Sequence, residues 1–129
     1  MHLATRALFH LPMIPRLKHR ADFLMAAKAP YAARTGVVVQ ARPRGDDSDD
    51  IQVGFTATKK IGNAVVRNRV KRRLREAAQA LLPDFGRPGH DYVFIARTGT
   101  FDRPWQALLD DVKAALIRLG ATKPARAEP

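Results

Sequence analysis

The spacing of hydrophobic residues along the chain predicts a mixed α/β protein. Residues 21–28, A-D-F-L-M-A-A-K, have the pattern of a short helix that Pro30 ends. Residues 34–42 and 51–58 are β-branched or alternate between apolar and polar positions, so we interpret them as the two strands of a hairpin. Residues 91–97, D-Y-V-F-I-A-R, are almost continuously apolar, which is typical of a strand buried on both faces.

Two longer segments have the 3.6-residue period of amphipathic helices. The first begins after Asn63, a favourable N-cap residue, and runs to about residue 82, where Pro83 is expected to close it. The second runs over residues 103–119, and Gly120 is expected to stop it. The predicted order is therefore α-β-β-α-β-α, an α/β (α+β) sandwich in which helices cover a small mixed sheet.

The ends of the chain differ from its middle. A chain of 129 residues is expected to form one domain, to which we assign residues 16–120. Residues 1–15 contain two prolines and no regular pattern, so we expect a flexible arm there. Residues 121–129 are small, charged or proline and are expected to be a disordered tail.

Positive charge is concentrated in residues 59–75, K-K-I-G-N-A-V-V-R-N-R-V-K-R-R-L-R, which contain eight Lys or Arg and no acid. The whole chain has 23 Lys plus Arg against 12 Asp plus Glu, a formal net charge of +11. Intrahelical pairs cannot balance such a run, so it predicts a polyanionic partner, most often a nucleic acid. The turn that precedes the helix also favours phosphate, because a helix N-terminus has free N–H groups.

A helical wheel divides this segment into a core side and a basic arc. The stripe expected to face the sheet consists of Val66, Val70, Leu74, Ala77 and Leu81. Opposite this stripe lie Asn68, Lys71, Arg72 and Arg75. Arg67 is at one border of the stripe, and Arg69 and Arg73 are on the other flank. The helix can thus bind an anion over a wide arc while its core face stays uncharged.

Composition argues against several kinds of chemistry. The chain has no cysteine, which removes disulfides and thiolate metal sites, and its only serine is Ser48. No apolar run approaches the ~20 residues that span a bilayer, so we expect a cytoplasmic protein. The aspartates at 46, 47, 49 and 50 lack the glycine and distal glutamate of a calcium loop, and we interpret them as a solvated turn.

At the centre of the chain the residues resemble a known family. Residues 53–75, V-G-F-T-A-T-K-K-I-G-N-A-V-V-R-N-R-V-K-R-R-L-R, resemble the signature of the protein subunit of bacterial ribonuclease P, including its R-N-R motif. R-L-K at 16–18 and D-F at 22–23 are similar to the first helix of that family, and residues 91–97 to its last strand. The resemblance extends over residues 16–119.

The resemblance implies a small basic protein that assists a catalytic RNA. The two subunits cut precursor tRNA by hydrolysis, release the 5′ leader and leave the mature 5′ end. The RNA holds the catalytic Mg²⁺, so we expect the protein to bind no metal or cofactor and to supply no catalytic residue. The implied partners are the RNA subunit and precursor tRNA, with no membrane and no obligatory protein partner. The family also implies a left-handed β-α-β crossover, although nearly all such crossovers are right-handed.

Two surfaces follow from the resemblance. The RNA subunit is expected to bind Lys59, Lys60, Asn63, Arg67, Asn68, Arg69, Lys71, Arg72, Arg73 and Arg75. The leader is expected to lie in a cleft between the first helix and the sheet, lined by Arg16, Lys18, Phe23, Arg34, Gln40 and Lys59. Phe23 matches the first cleft aromatic of the family, although core packing is an open alternative for it. A second aromatic one turn later is replaced by Ala27, which predicts a weaker or less base-selective leader contact.

Two other aromatic residues are interpreted as packing, and two other functions stay open from the residues alone. Phe55 lies on the apolar face of its predicted strand and Trp105 on the apolar stripe of the last helix. A non-catalytic RNA- or DNA-binding protein is one alternative, although a helix-turn-helix reader would need two adjacent helices and here strands flank the basic helix. A self-sufficient nuclease is the other, and it would need paired carboxylates or a histidine near the basic face.

Overall fold

A computed structural model describes residues 14–127, with side chains described as far as residue 120. Within this range the helices and strands are α1 Arg20–Ala26, β1 Tyr31–Ala33, β2 Val37–Pro43, β3 Gln52–Thr56, α2 Ala64–Phe85, β4 His90–Ala96 and α3 Trp105–Ala127. Short 3₁₀ turns at Lys59–Ile61 and Thr98–Thr100 lie before α2 and α3. The predicted α+β class is confirmed, and β1 is a strand that the sequence pattern did not reveal.

The four strands form one mixed sheet in the order β1-β2-β4-β3. Strand β4 is antiparallel to β2 and parallel to β3, and all of its residues except Ile95 are buried, as its apolar sequence predicted. The hairpin predicted between residues 34–42 and 51–58 is wrong, because β4 lies between those two strands. The hairpin is formed instead by β1 and β2, and β2 begins only at Val37, since the residues before it form the turn.

One face of the sheet is covered by α2 and α3. The predicted core stripe of α2 is confirmed, with Val70, Leu74 and Ala77 fully buried and Val66 and Leu81 partly buried against the core. The helix connects the parallel strands β3 and β4, so it is the crossover of a β-α-β unit. The handedness of that crossover stays a prediction.

Among the described residues, the other face carries the short helix α1 and a small apolar cluster. Leu17, Ala26 and Val93 form this cluster, with Phe23 and Ile95 partly buried beside it. The chain enters α1 along the edge of β3, where Val53 exchanges backbone hydrogen bonds of 2.9 Å with the Pro15 carbonyl and the Leu17 amide. Most of the predicted arm lies outside the described residues.

Two helix ends differ from the sequence prediction. Helix α2 continues past Pro83 to Phe85, and the Gly86 amide donates to the Leu82 carbonyl at 2.8 Å. A proline lacks one N–H, but only the last turn of the helix is affected, so the helix ends slightly later. Helix α3 begins at Trp105 and continues to Ala127, so the expected stop at Gly120 is wrong. Glycine is tolerated inside a helix at a cost of about 1 kcal/mol. Disorder of residues 121–129 stays a prediction.

The buried carboxylate of Asp111 holds the β1–β2 turn against α3. Asp111 of α3 accepts the Gly36 amide at 2.9 Å and the Arg103 guanidinium at 2.8 Å. A side chain at Gly36 would lie 2.7 Å from this carboxylate, which explains why the turn has glycine there. The buried Thr100 hydroxyl donates to the Gly36 carbonyl at 2.7 Å. The β1–β2 turn, the 98–100 turn and α3 are therefore held together.

Candidate nucleic-acid interface

The turn before α2 combines two lysines with a capped helix start. Lys59 and Lys60 are exposed, and the Asn63 Oδ1 accepts the Val66 amide at 3.0 Å, which confirms the predicted N-cap. Gly62 has a φ of +152°, and a Cβ there would lie 2.9 Å from the Val66 side chain. Only glycine satisfies both conditions, so the turn holds the lysines directly before the positive end of the helix dipole.

The basic arc of α2 is free of intramolecular charge pairing over most of its length. Asn68, Arg69 and Arg72 are exposed, and Arg67, Lys71 and Arg75 are half-buried. Within the described part of the chain, the one carboxylate that pairs with the arc is Glu76, which lies 4.0 Å from Arg72 with both side chains largely exposed. Such a surface pair contributes little. An open depression of about 440 Å³ runs along the arc, lined by Val65, Asn68, Arg69, Arg72 and Arg75.

Arg67, the first arginine of the R-N-R motif, lacks a partner for a buried donor. Its Nε is buried and has no hydrogen-bond partner among the described residues. A buried N–H without an acceptor costs free energy, roughly 1–3 kcal/mol. Because this atom is closed to solvent, an anionic ligand would supply the missing acceptor only if the Arg67 side chain turned outward.

Arg73 differs from its neighbours on the helix. Its guanidinium donates to the carbonyls of Thr100 at 2.6 Å and Phe101 at 2.9 Å, and also to the Arg103 carbonyl. It lies 5.9 Å from the centre of the Trp105 ring. Its donors are thus directed to the protein, and Trp105, which was expected to be core, is 41% exposed. Arg73 links α2 to the start of α3.

Phe23 lies on the open face of the sheet, where the leader cleft was predicted. A Cβ on Gly54 of β3 would lie 2.5 Å from the Phe23 ring, so the ring rests directly on the backbone of that strand. Phe23 is half-buried and packs near Leu17 and Val93, whereas Ala27 is exposed. The Phe23 ring therefore packs against the protein and also keeps some accessible surface. Core packing and leader contact, the two interpretations of this residue from the sequence, are thus compatible.

The polar residues predicted for the cleft occupy two ends of this face. Near the start of α1, an open depression of about 230 Å³ is lined by Pro15, Arg16, Lys18, His19, Asp22 and Gln52. Gln40 is half-buried in the middle of β2, opposite Val93 of β4. Arg34 is exposed at the far end, directly after β1.

The far end also contains a cation that the sequence analysis missed. Strands β1, β3 and β4 run parallel to one another, so the residues that follow them lie at the same edge of the sheet. Arg34 follows β1, Lys59 follows β3 by a few residues and Arg97 follows β4. Arg97 is exposed, and its guanidinium donates to the Arg34 carbonyl at 3.1 Å. Arg97 can be placed beside Arg34 only from the observed strand order, which the predicted hairpin did not give.

A recess connects the two surfaces around the edge of β3. It has a volume of about 230 Å³ and is lined by Ile14, Pro15, Arg16, Val53, Phe55, Arg75, Ala78 and Gln79. Arg16, predicted for the leader, and Arg75, predicted for the RNA subunit, thus line one cavity. The Arg16 guanidinium lies 5.6 Å from the centre of the Phe55 ring, which on its other side is 5.7 Å from Phe94. Phe55 is therefore half-buried, and its interior side belongs to the core as predicted.

The acidic turn after β2 is tied to the protein by Arg44. This arginine donates to Asp46 at 3.0 Å and to the buried Asp91 at 2.9 Å. The hydrogen bond from Arg44 holds the pKa of Asp46 below its ordinary value. No group of three or more metal-ligating side chains occurs within residues 14–120, the part of the chain with described side chains. In the same part of the protein, no helix is long and apolar enough to cross a membrane.

The fold and these surfaces define a class of protein: a small basic α+β protein that presents a polycationic helix and an open sheet face, the arrangement expected of a nucleic-acid-binding subunit. A family model described as Ribonuclease P matches residues 11–120. The ribonuclease P protein component of Caulobacter vibrioides is 62% identical over 112 residues, which cover 87% of this chain and 75% of that protein. The component of Ruegeria pomeroyi is 54% identical over 110 residues, covering 84% of this chain and 88% of that one.

A solved structure agrees with these relatives. The RNase P protein from Thermotoga maritima has a TM-score of 0.68 to this chain at 27% identity, and the match covers 80% of this chain and 96% of that one. The chain belongs to the family of bacterial ribonuclease P protein components. Its role is that of a protein subunit in the processing of tRNA 5′ ends.

Proposed function

We propose that the basic arc of α2 binds the RNA subunit of ribonuclease P and that the open face of the sheet binds the 5′ leader of precursor tRNA. The observation that carries the first part is the near absence of charge pairing along the arc: among the described residues its one carboxylate partner is Glu76, 4.0 Å from Arg72 with both side chains largely exposed, and the Arg67 Nε has no acceptor. Donors without an acceptor cost free energy, and the helix carries a surplus of positive charge. Both features support an interface with a polyanion.

The residues proposed to contact the RNA subunit are those of the turn and the arc whose donors make no side-chain hydrogen bond to the described part of the protein. They are Lys59, Lys60, Arg67, Asn68, Arg69, Lys71, Arg72 and Arg75, with Asn63 as the cap that positions the turn. Arg73 is left out, because its donors already bind three carbonyls. If the seven cations of this set each meet a phosphate, the log–log salt slope of binding is about −5 to −6.

The leader is proposed to cross the open face from the start of α1 toward the carboxyl ends of the parallel strands. Arg16 and Lys18 lie at the first end, and Arg34 and Arg97 at the second. Phe23 lies between them and offers one aromatic surface for a base. With Ala27 exposed in place of a second aromatic, leader binding depends more on phosphate contacts and less on base stacking.

The chemistry of cleavage is assigned to the RNA. In accord with what the family resemblance implies, the proposal places the catalytic Mg²⁺ ions with the RNA subunit. The protein is proposed to bind and orient both RNAs in the cytoplasm and to need no further protein partner for this role.

Reconstitution tests the proposal. The purified protein is mixed with a bacterial ribonuclease P RNA and a precursor tRNA at low Mg²⁺, and cleavage at the mature 5′ end is measured. We expect efficient cleavage only when both subunits are present. Cleavage by the protein alone would show a nuclease site within the protein, and failure to bind or stimulate the RNA would favour a general nucleic-acid-binding protein.

Variants test the division between the two surfaces. Arg67→Ala and Arg69→Ala are expected to weaken binding of the RNA subunit, whereas Phe23→Leu, which keeps apolar volume, is expected to weaken the affinity of the holoenzyme for precursor tRNA. The matched control is Lys113→Ala, which removes an exposed cation of α3 that lies 5.2 Å from the Phe85 ring, outside both surfaces. Equal losses of both affinities in all three test variants would contradict separate surfaces.

A further inference from the structure

Two aromatic side chains are exposed beside the basic arc of α2. Phe101 is 37% exposed and Trp105 is 41% exposed, although side chains of this size are usually more deeply buried. Trp105 is the first residue of α3 and Phe101 lies in the turn before it, and the two rings contact Arg73 and Arg69 of α2. We call this pair, Phe101 and Trp105, the aromatic platform.

Each ring of the platform is paired with an arginine. The Arg69 guanidinium lies 5.3 Å from the centre of the Phe101 ring, and the Arg73 guanidinium 5.9 Å from that of Trp105. Arg69 and Arg73 are one helical turn apart on α2, so the two arginine–aromatic pairs lie next to each other, with Phe101 in the turn before α3 and Trp105 at the first residue of that helix. Both rings keep accessible surface beyond the arginines.

The backbone that carries the platform is held from several sides. Arg73 binds the carbonyls of Thr100, Phe101 and Arg103, and the Thr100 hydroxyl accepts the Arg97 amide at 2.8 Å. This same hydroxyl is tied to Gly36 of the β1–β2 turn. The rings are therefore presented by a fixed segment, so a ligand that stacks on them loses little entropy in ordering the protein.

The platform adjoins the depression along the basic arc, because Arg69 lines the depression and also contacts Phe101. Arg69 lines the depression together with Asn68 and Arg72, and on the other side it covers Phe101. A strand whose phosphates lie along the arc would bring its bases to the rings. The surrounding charge favours a polyanion over an apolar protein surface.

We propose that the aromatic platform stacks unpaired nucleobases of the RNA whose phosphates occupy the basic arc. This inference rests on the proposed function and adds a base-contacting site to it. Every nucleobase has a π-face, so stacking would be tolerant of sequence, and the adjacent guanidinium groups would strengthen it. The platform thereby distinguishes single-stranded segments, whose bases are accessible, from paired ones.

Fluorescence gives a direct test, because Trp105 is the only tryptophan of the chain. The full-length protein is titrated with a short oligoadenylate and, separately, with inorganic polyphosphate of similar total charge at the same ionic strength. We expect oligoadenylate to quench the tryptophan emission saturably and polyphosphate to bind, as shown by competition, without quenching. Equal quenching by both, or no quenching at saturating oligoadenylate, would overturn the proposal.

Substitutions test base stacking on the platform separately from the effect of the surrounding charges. Trp105→Ala and Phe101→Ala are each expected to lower the affinity for oligoadenylate and for the RNA subunit by about tenfold, with polyphosphate affinity unchanged. Trp105→Phe should retain most of the affinity, because it keeps an aromatic face. The control Ile117→Ala removes a half-exposed apolar side chain of the same helix and should change neither affinity.

The outcomes distinguish this inference from the proposed function. If Trp105→Ala, shown to be folded by circular dichroism, binds the RNA subunit normally while Arg72→Ala binds it weakly, the platform is refuted and the basic arc stands. If a folded Trp105→Ala instead loses binding of an apolar protein partner and keeps RNA binding, the platform is a protein contact and the inference is likewise wrong. If the wild-type protein does not bind the RNA subunit, the proposed function itself fails.

Discussion

Arginine has opposite roles at the end of β2 and along α2. At the end of β2, Arg42 and Arg44 donate to the buried Asp91 at 3.0 and 2.9 Å. Along α2, Arg67 and Arg69 have no carboxylate partner among the described residues. The two regions are both rich in arginine, but the first set is paired with a carboxylate inside the protein, whereas Arg67 and Arg69 are not, as the proposed interface with a polyanion requires. The number of arginines therefore does not separate the two regions, whereas the presence or absence of an internal partner does.

Arg73 shows that the distinction does not follow sequence position. It lies within the basic run, between Arg72 and Leu74, but its guanidinium is used inside the protein in the same way as those of Arg42 and Arg44. Arg73 is thus a structural residue within the basic run, whereas its neighbours on the arc are proposed to bind RNA.

The largest effect is expected from removing a buried partner. Asp91→Ala leaves Arg42 and Arg44 without the carboxylate, whose side chain is only 1% exposed. We expect the free energy of unfolding to fall by about 3 kcal/mol, the lower end for a broken buried pair, because both arginines can turn toward water. Urea denaturation followed by circular dichroism measures this. Asp46→Ala, which removes an exposed partner of the same Arg44, is the control and should change stability little.

A smaller loss of stability is expected from Arg73→Ala. The substitution leaves three carbonyls without their donor, which we expect to cost about 2 kcal/mol. Arg73→Lys should recover only part of this loss, because an ammonium cannot reproduce the planar fork. The neighbouring Arg72→Ala should change the free energy of unfolding by less than about 0.5 kcal/mol. Equal destabilisation by both alanine variants would break the distinction between the two arginines.

The same two variants should behave in the opposite way toward RNA. Arg72→Ala should reduce the magnitude of the log–log salt slope for binding the RNA subunit by about 0.7–0.9, the value for one lost phosphate contact. Arg73→Ala should leave the slope unchanged once the folded fraction is taken into account. Dissociation constants measured over a series of KCl concentrations give the slope. A smaller salt slope for Arg73→Ala would mean that Arg73 also contacts a phosphate of the RNA subunit.

The smallest effect concerns pH. Asp46 has a pKa below its ordinary value because Arg44 donates a hydrogen bond to it. A group whose pKa is lowered by folding stabilises the fold above its unfolded pKa, and this contribution is lost as the pH falls through the folded pKa. The difference in unfolding free energy between wild type and Asp46→Asn should thus be small at neutral pH and vanish as the pH falls through the lowered pKa of Asp46. A difference that grows toward acid pH would contradict the pairing.

Much of the fold and of the candidate site could be predicted from local pattern. The core stripe of α2, its Asn63 cap and the buried strand β4 all follow from residues only a few positions apart. The R-N-R segment was recognisable for the same reason, because its motif is a run of consecutive residues. The pattern failed where distant segments compete: β3 pairs with β4 and not with β2, although β2 is nearer in sequence.

The local sequence is sufficient to show that α2 is amphipathic, strongly basic and uncharged on its core face, because helix period and composition are properties of the segment alone. The packing of distant segments determines which of its cations have partners inside the protein. Arg73 meets carbonyls 27 to 30 residues away, Arg97 reaches Arg34 across 63 residues, and Trp105 becomes exposed beside Arg73. These contacts depend on strand order and helix packing, which bring together groups that no local pattern relates.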